Sequence, residues 1–330
     1  MKIAMFSTKP YDEEYFGKFQ GSFDFDLDFF ETHLDPSTAS LTKGYDGVCV
    51  FVNDDINEET IEMMHQNGVA IIALRCAGFN NIDLEAAKKH NLKVVRVPAY
   101  SPEAVAEHTT ALMLTLNRKT HKAYNRVREG NFSLHKLMGF NLHNKTVGVI
   151  GTGKIGVAFC RILLGFGCKI VAYDLYPSDE LVQLGVAYKS LDDVFKDSDI
   201  ISLHCPLTKE TMHLIDKDSI ALMKTGVMLI NTSRGELIKT ADVIDGLINR
   251  KIGYLGIDVY EQEEELFFKD LSEDIIQDDD ILRLNSFPNV LITSHQAYFT
   301  GEAMEEIALT TLENIKAFKN GEKLQNEIIS

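Results

Sequence analysis

Three kinds of side chain in this sequence could together reduce a carbonyl, and they stand just past apolar runs. Arg234, in Asn231-Thr232-Ser233-Arg234-Gly235, carries a planar guanidinium that can hold a carboxylate through two parallel hydrogen bonds. His295, in Ser294-His295-Gln296-Ala297, has a ring that exchanges a proton near neutral pH, as a general acid must. The acidic stretch Glu261-Gln262-Glu263-Glu264-Glu265 could give the second ring nitrogen a carboxylate. Such a partner orients an imidazole and favours its charged form. Glu263 is the candidate, and from the residues alone Glu261, Glu264 and Glu265 compete with it.

A carbonyl reduction also needs a source of hydride. Val147-Gly148-Val149-Ile150 reads as a buried strand, and Gly151-Thr152-Gly153-Lys154-Ile155-Gly156 as a glycine-rich turn opening a helix. A second apolar run, Lys169 to Tyr173, ends at Asp174, eighteen residues after Gly156. Strand, G-x-G-x-x-G, helix, strand and acid is the pattern of a dinucleotide site. Gly151 permits the tight turn, Gly153 lets the backbone approach a pyrophosphate, and Gly156 lets the helix sit close to the sheet. Free N–H groups at the helix start favour the phosphates. Asp174 can accept hydrogen bonds from the adenosine ribose and would repel a 2′-phosphate, so the expected cofactor is NAD.

The elements that must position these residues alternate. Strands are expected at Lys2 to Ser7, within Phe23 to Phe30, and at 47–52, 69–74 and 92–97, with helices near 57–67 and 84–90. Two prolines, Pro98 and Pro102, mark a boundary, after which a long helix is expected to run to about Arg128. Beyond Asp174 the alternation resumes, with strands at 200–204, 227–231, 254–259 and 290–293. Asp174, Pro206, Arg234, Asp258 and His295 each follow a strand, on the edge where open α/β sheets bind ligands. The expected architecture is α/β, with two Rossmann-like doubly wound parallel-sheet domains. Residues 1–100 would form the first, residues 101–298 the dinucleotide domain, and 299–330 would return to the first through a final helix near 302–320.

The 330 residues carry a formal net charge of −16, which makes nucleic acid and anionic membrane poor partners for the whole surface. The amino-terminal apolar run is too short for a signal peptide, and no run could span a bilayer. The five cysteines, Cys49, Cys76, Cys160, Cys168 and Cys205, are odd in number and show no metal spacing. They are expected to be buried free thiols in a cytoplasmic protein.

The motifs quoted so far, with His204-Cys205-Pro206-Leu207-Thr208 and Gly256-Ile257-Asp258-Val259-Tyr260-Glu261, resemble the D-2-hydroxyacid dehydrogenases essentially end to end. Val97-Pro98-Ala99-Tyr100-Ser101-Pro102 and Leu266-Phe267-Phe268 are similar to the fermentative D-lactate subgroup. The resemblance implies reversible NADH-dependent reduction of pyruvate, in a homodimer. It implies Arg234 as the substrate-binding residue, His295 as proton donor and Glu263, among the competing acids, as its partner. It further implies cofactor contacts at Lys154, Ile155, Asp174, Cys205, Pro206, Thr211, Thr232, Ser233, Arg234 and Asp258. Tyr100, the Ala77-Gly78 backbone and Tyr298 would shape the substrate pocket. One alternative keeps the mechanism and takes a bulkier acid such as 2-oxoisocaproate. Another, of a different class, is an NADH-sensing corepressor-like binding protein. No metal is expected.

Overall fold

Short apolar runs become parallel strands, and the stretches between them become helices, most of them opened by a capping side chain. The computed structural model describes residues 1–328, except the side chain of Glu265. The chain divides into two compact units, Met1–Ser101 with the chain from Phe299 onward, and Pro102–Tyr298.

The first unit contains β1 (Lys2–Met5), α1 (Pro10–Gln20), β2 (Asp26–Phe29), β3 (Gly47–Val50), α2 (Glu58–Gln66), β4 (Ile71–Leu74), α3 (Leu84–Lys89) and β5 (Lys93–Arg96). Its five strands lie in the order β2-β1-β3-β4-β5, all parallel. Asn57 caps α2 by accepting from Thr60 N, and Asp83 caps α3 by accepting from Ala86 N. Helix α1 has no counterpart in the sequence reading. Its apolar signal is weak, since Phe16 is its only fully buried apolar residue.

A polar knot lies buried where this sheet reverses its order. Arg75, 2% exposed, donates to the carbonyl oxygens of Phe6 (2.9 Å) and Ser7 (2.8 Å) and pairs with Asp12 (3.3 Å). Asp54 accepts from Ser7 Oγ (2.6 Å), Leu34 N (2.8 Å) and Phe51 N (2.6 Å). Burial pushes the Asp54 carboxyl above its ordinary range, against the opposing pull of the Ser7 hydroxyl and Arg75.

The second unit opens with α4 (Pro102–Arg118) and α5 (Thr120–Arg128). The single long helix expected here is broken at Lys119, whose φ is +52°. Asn117 explains the break: its amide donates to Phe140 O and its carbonyl accepts from Phe140 N, both at 2.8 Å, tying the helix end to the returning chain. There follow β6 (Thr146–Ile150), α6 (Lys154–Gly165), β7 (Lys169–Tyr173), α7 (Asp179–Gln183), β8 (Ala187–Tyr188), α8 (Leu191–Asp197), β9 (Ile200–Leu203) and α9 (Lys217–Leu222). The unit closes with β10 (Val227–Asn231), α10 (Thr240–Ile248), β11 (Ile252–Ile257), α11 (Asp279–Ser286) and β12 (Val290–Ile292). Its strand order is β12-β11-β10-β9-β6-β7-β8, again all parallel.

Alternate residues of each central strand enter different cores. Val147 and Val149 of β6 and Met228 and Ile230 of β10 join one apolar cluster, while Ile150, Val227 and Leu229 join the other. A parallel sheet covered on both faces requires this period of two in strands that are apolar throughout. The last helix, α12 (Gly301–Lys319), returns to the first unit and packs on α1, β4 and β5. Met304, Ile307, Ala308, Thr311, Leu312 and Ile315 are its buried face. Among the described residues no helix is long and apolar enough to cross a membrane, and all five cysteines are free and buried.

Candidate active site

The second unit's sheet reverses its strand order between β6 and β9, and the loops leaving those strands touch. Gly151, the first residue past β6, has φ +95°, and a Cβ there would collide with the His204 carbonyl carbon and the Cys205 nitrogen. A Cβ on Gly156 would overlap the Gly151 carbonyl oxygen, so this glycine locks α6 onto its own turn. Gly153 differs from both: a Cβ there would meet nothing within 4 Å. Gly153 is also the N-cap of α6 and provides no side-chain cap. The first N–H groups of α6, on exposed Lys154, half-buried Ile155 and buried Gly156, are thus directed beyond the helix beside open space.

Asp174 follows β7 and is already engaged. One carboxylate oxygen accepts from Thr152 N (2.5 Å) and Thr152 Oγ1 (3.1 Å), the other from Tyr176 N (2.9 Å). Across the edge, Ser233 Oγ donates to Cys205 O (2.7 Å), and Thr232 Oγ1 meets Thr109 Oγ1 of α4 (2.8 Å). The Thr211 hydroxyl donates to Pro206 O (2.7 Å) and accepts from Thr208 N (2.8 Å), clasping the loop that follows β9.

Arg234 is presented by a turn that Asn231 builds. The buried Asn231 amide donates to Arg234 O (2.8 Å) and its carbonyl accepts from Ser233 N (3.0 Å). Among the described residues the Arg234 guanidinium donates to Ser233 O (2.6 Å) and meets no carboxylate. Gly235 packs so tightly on the Tyr260 carbonyl and Glu261 nitrogen that no Cβ would fit. Tyr260 N in turn donates to Glu263 Oε2 (2.9 Å), which ties the arginine turn to the glutamate turn.

His295 follows β12 with φ +52°, a conformation that bulky side chains rarely adopt. Asp258 holds it there. The Asp258 backbone oxygen accepts from His295 N (2.7 Å), and its carboxylate accepts from Thr293 Oγ1 (2.5 Å), Gln296 N (3.0 Å) and Ala297 N (2.8 Å). Burial would raise this carboxyl. Hydrogen bonds from His108, Thr293 and the two backbone N–H groups outweigh that and hold it below the ordinary range. Thr293 gives its one hydroxyl proton to Asp258, so His108 Nε2 carries a proton that it shares between Thr293 Oγ1 (3.1 Å) and Asp258 Oδ1 (3.4 Å).

The His295 ring meets Glu263 with Nδ1 2.7 Å from Oε1. A carboxylate only accepts, so Nδ1 carries the proton and Nε2 is left for other chemistry. Phe268 lies against the ring, with centroids 5.9 Å apart. Of the competing acids, Glu261 is occupied by His213 (2.7 Å) and Thr240 N (2.9 Å), Glu264 is exposed, and the Glu265 side chain lies outside the described residues.

Residues 110–297 match the model of the D-isomer specific 2-hydroxyacid dehydrogenase NAD binding domain. The chain belongs to the D-isomer specific 2-hydroxyacid dehydrogenases. It is 54% identical to D-lactate dehydrogenase of Escherichia coli K12 over 329 residues, all of both chains. The apo-structure of the Escherichia coli enzyme superposes with a TM-score of 0.91 at 51% identity, again covering both chains fully. A structure reported as the pyruvate reductase of Chlamydomonas reinhardtii gives 0.93 at 45% identity, over 99% of this chain and 98% of that one.

The dehydrogenase is an NAD-dependent oxidoreductase, and the turn fits that cofactor: two glycines are pressed against protein, while the third borders open space at an uncapped helix start. The residues expected to shape the substrate pocket divide between the units. Tyr298 is buried in the second. Ala77 and Gly78 follow β4 in the first, where Ala77 O accepts from Arg96 (2.6 Å), and Tyr100 follows β5. The sequence reading missed three supporting side chains. Asn231 was in view only as part of a motif, and its 2.8 Å and 3.0 Å bonds to the turn carry no sequence signal beyond that position. His108 and Thr109 lie inside α4 and belong to none of the motifs, so nothing local marks their bonds to Thr293 and Thr232.

Proposed function

We propose that this dehydrogenase interconverts pyruvate and D-lactate, with NADH as reductant. The His295–Glu263 hydrogen bond at 2.7 Å carries the reading. It leaves Nε2 as the one ring atom able to deliver a proton, on the sheet edge that also presents Arg234. Bound NADH supplies the hydride.

Arg234 holds the oxo acid's carboxylate through its fork and polarises the keto oxygen. His295 enters protonated and gives its Nε2 proton to the oxygen as negative charge develops there. Glu263, fixed by Tyr260 N, stabilises the imidazolium and keeps the ring from turning. Asp174 would receive the adenosine ribose, and Lys154 and Ile155 would meet the phosphates. The choice of pyruvate and of the D isomer draws support from the relatives, chiefly the full-length 54% identity to a D-lactate dehydrogenase.

The test is NADH oxidation by purified protein against pyruvate, 2-oxobutyrate, 2-oxoisocaproate, phenylpyruvate, hydroxypyruvate and oxaloacetate, with chiral analysis of the product. Preference for pyruvate giving D-lactate is expected. Preference for a branched or aromatic acid would move the substrate and leave the mechanism. NADH binding without turnover would replace the enzyme by a sensor. Arg234→Gln should weaken oxo-acid binding far more than NADH binding. His295→Asn should abolish turnover while NADH still binds, and turnover kept in that variant would remove His295 as donor.

A homodimer is part of the proposal. Tyr124, Val127, Phe132, Leu134 and Met138, on α5 and the segment after it, are exposed by half or more, an apolar surface that association would cover. Sedimentation giving a monomer would remove it. Five buried free thiols suit a reducing, cytoplasmic location. Cell fractionation tests that.

A further inference from the structure

A second acid–imidazole pair stands on the same turn as the first. Glu261 and Glu263 are two residues apart, and each carboxylate takes a histidine at 2.7 Å, His213 and His295 respectively. Both histidines have left-handed backbones, with φ +53° and +52°. The pairs differ in what surrounds them. Glu263 uses its other oxygen on the backbone of its own turn, at Tyr260 N. Glu261 uses its other oxygen on Thr240 N (2.9 Å), the first residue of α10, which has no capping side chain of its own.

His213 closes the loop that leaves β9. The loop starts at Cys205 and Pro206, is clasped by Thr211, and ends where His213 N donates to Glu236 O (2.8 Å) and Ile215 N to Leu237 O (2.9 Å). Its stem is therefore held by backbone. The His213 ring adds a bond of another kind, reaching from the loop to the turn that carries Glu263.

We propose that His213 and Glu261 form a positioning pair, which holds the loop of residues 206–213 in its NADH-receiving form and in register with the Glu263–His295 pair. The proposal rests on the reading that this loop receives the cofactor. Neither residue touches reacting atoms. Losing the bond lets the loop sample other positions, so NADH must restore order when it binds, and affinity falls by that requirement. Once NADH is bound the loop is in place, and the chemical step proceeds nearly as before.

The experiment compares the whole enzyme with His213→Phe, which keeps a ring and loses the donor, and His213→Gln, whose Nε2 can donate from a similar place. NADH Kd, kcat at saturating NADH and pyruvate, thermal midpoint, and amide hydrogen exchange across 206–213 are measured for each. The expected result for His213→Phe is an NADH Kd raised about tenfold, which is about 1.4 kcal/mol. Its kcat should stay within about twofold, since the bond is absent from the reacting atoms. Loop exchange should be faster without NADH and return toward normal with it. His213→Gln should recover most of the affinity. An unchanged Kd in His213→Phe overturns the proposal. So does a loss shared equally by Kd, kcat and thermal midpoint that Gln does not repair, which would mark a general structural contact. If NADH fails to protect residues 206–213 in the unaltered enzyme, the reading of the loop as cofactor-receiving is what has failed.

Discussion

Each sheet has a point where its strand order reverses, between β1 and β3 in one unit and between β6 and β9 in the other. In both, two strands leave a gap at their carboxyl ends, and the chain treats the gap in opposite ways. The second unit lines it with glycine backbone: Gly151 folds against Cys205, and Gly153 faces open space. The first unit fills its gap with its own charges, Arg75, Asp12 and Asp54, tied to the carbonyls of Phe6 and Ser7. The same topology thus offers a ligand site in one case and a plug in the other. What decides is what the neighbouring elements deliver: in the first unit Arg75 comes from the end of β4, Asp12 from α1 and Asp54 from the loop after β3.

The largest effect should come from pulling the plug. Arg75→Ala leaves Asp12 and Asp54 buried beside carbonyl oxygens that have lost their donor. A loss of about 3–5 kcal/mol is expected, as for removal of one member of a buried ion pair. Denaturant unfolding checks it, and a loss below about 1 kcal/mol would mean water replaces the guanidinium easily.

Next comes Gly151→Ala, which sets a Cβ against the Cys205 backbone at φ +95°. Left-handed strain alone is about 1–2 kcal/mol, so stability and NADH affinity should both drop. Gly153→Ala sharpens the contrast. Its φ of −66° suits alanine and its Cβ would meet no protein atom, so the unfolding midpoint should hold while NADH affinity falls about tenfold. If Gly153→Ala bound NADH normally, the open space beside it would not be the phosphate site.

The smallest effect concerns pH. The Asp258 carboxyl is held below its ordinary range in the fold. Its contribution is fully present above the unfolded value, near 3.9, and is lost as pH falls through the depressed folded value. Asp54, held above its ordinary range, works the other way: its contribution is present at acid pH and lost as pH rises through the folded value. Stability measured from pH 7 down to about 3 should therefore decline less steeply in Asp258→Asn than in the unaltered enzyme. Parallel curves would contradict the depressed value.

Legibility followed the same divide between backbone and side chain. Apolar strands with period-two burial, the glycine turn and the acid after β7 are local patterns, and they were readable because local sterics produce them. The choice among Glu261, Glu263, Glu264 and Glu265 was not readable from residue chemistry, because only the path of the turn gives Glu263 to His295 and Glu261 to His213. The break at Lys119 was hidden for a similar reason. Its cause is Asn117 bonding to Phe140, 23 residues away. Helix α1 was missed because its buried face includes Asp12, an acid whose burial makes sense only beside Arg75.

As the proposed ribose acceptor, Asp174 ties the selectivity of the enzyme to the architecture of its turn. Both of its oxygens already brace backbone, at Thr152 N and Tyr176 N, before any ribose arrives. A lineage drifting toward a phosphorylated coenzyme could not simply discard this acid to admit the extra phosphate. The same step would unfasten the glycine turn, so a replacement brace would have to be in place first. Coenzyme preference is in that sense inherited with the fold, and a change of preference should require substitutions made in order.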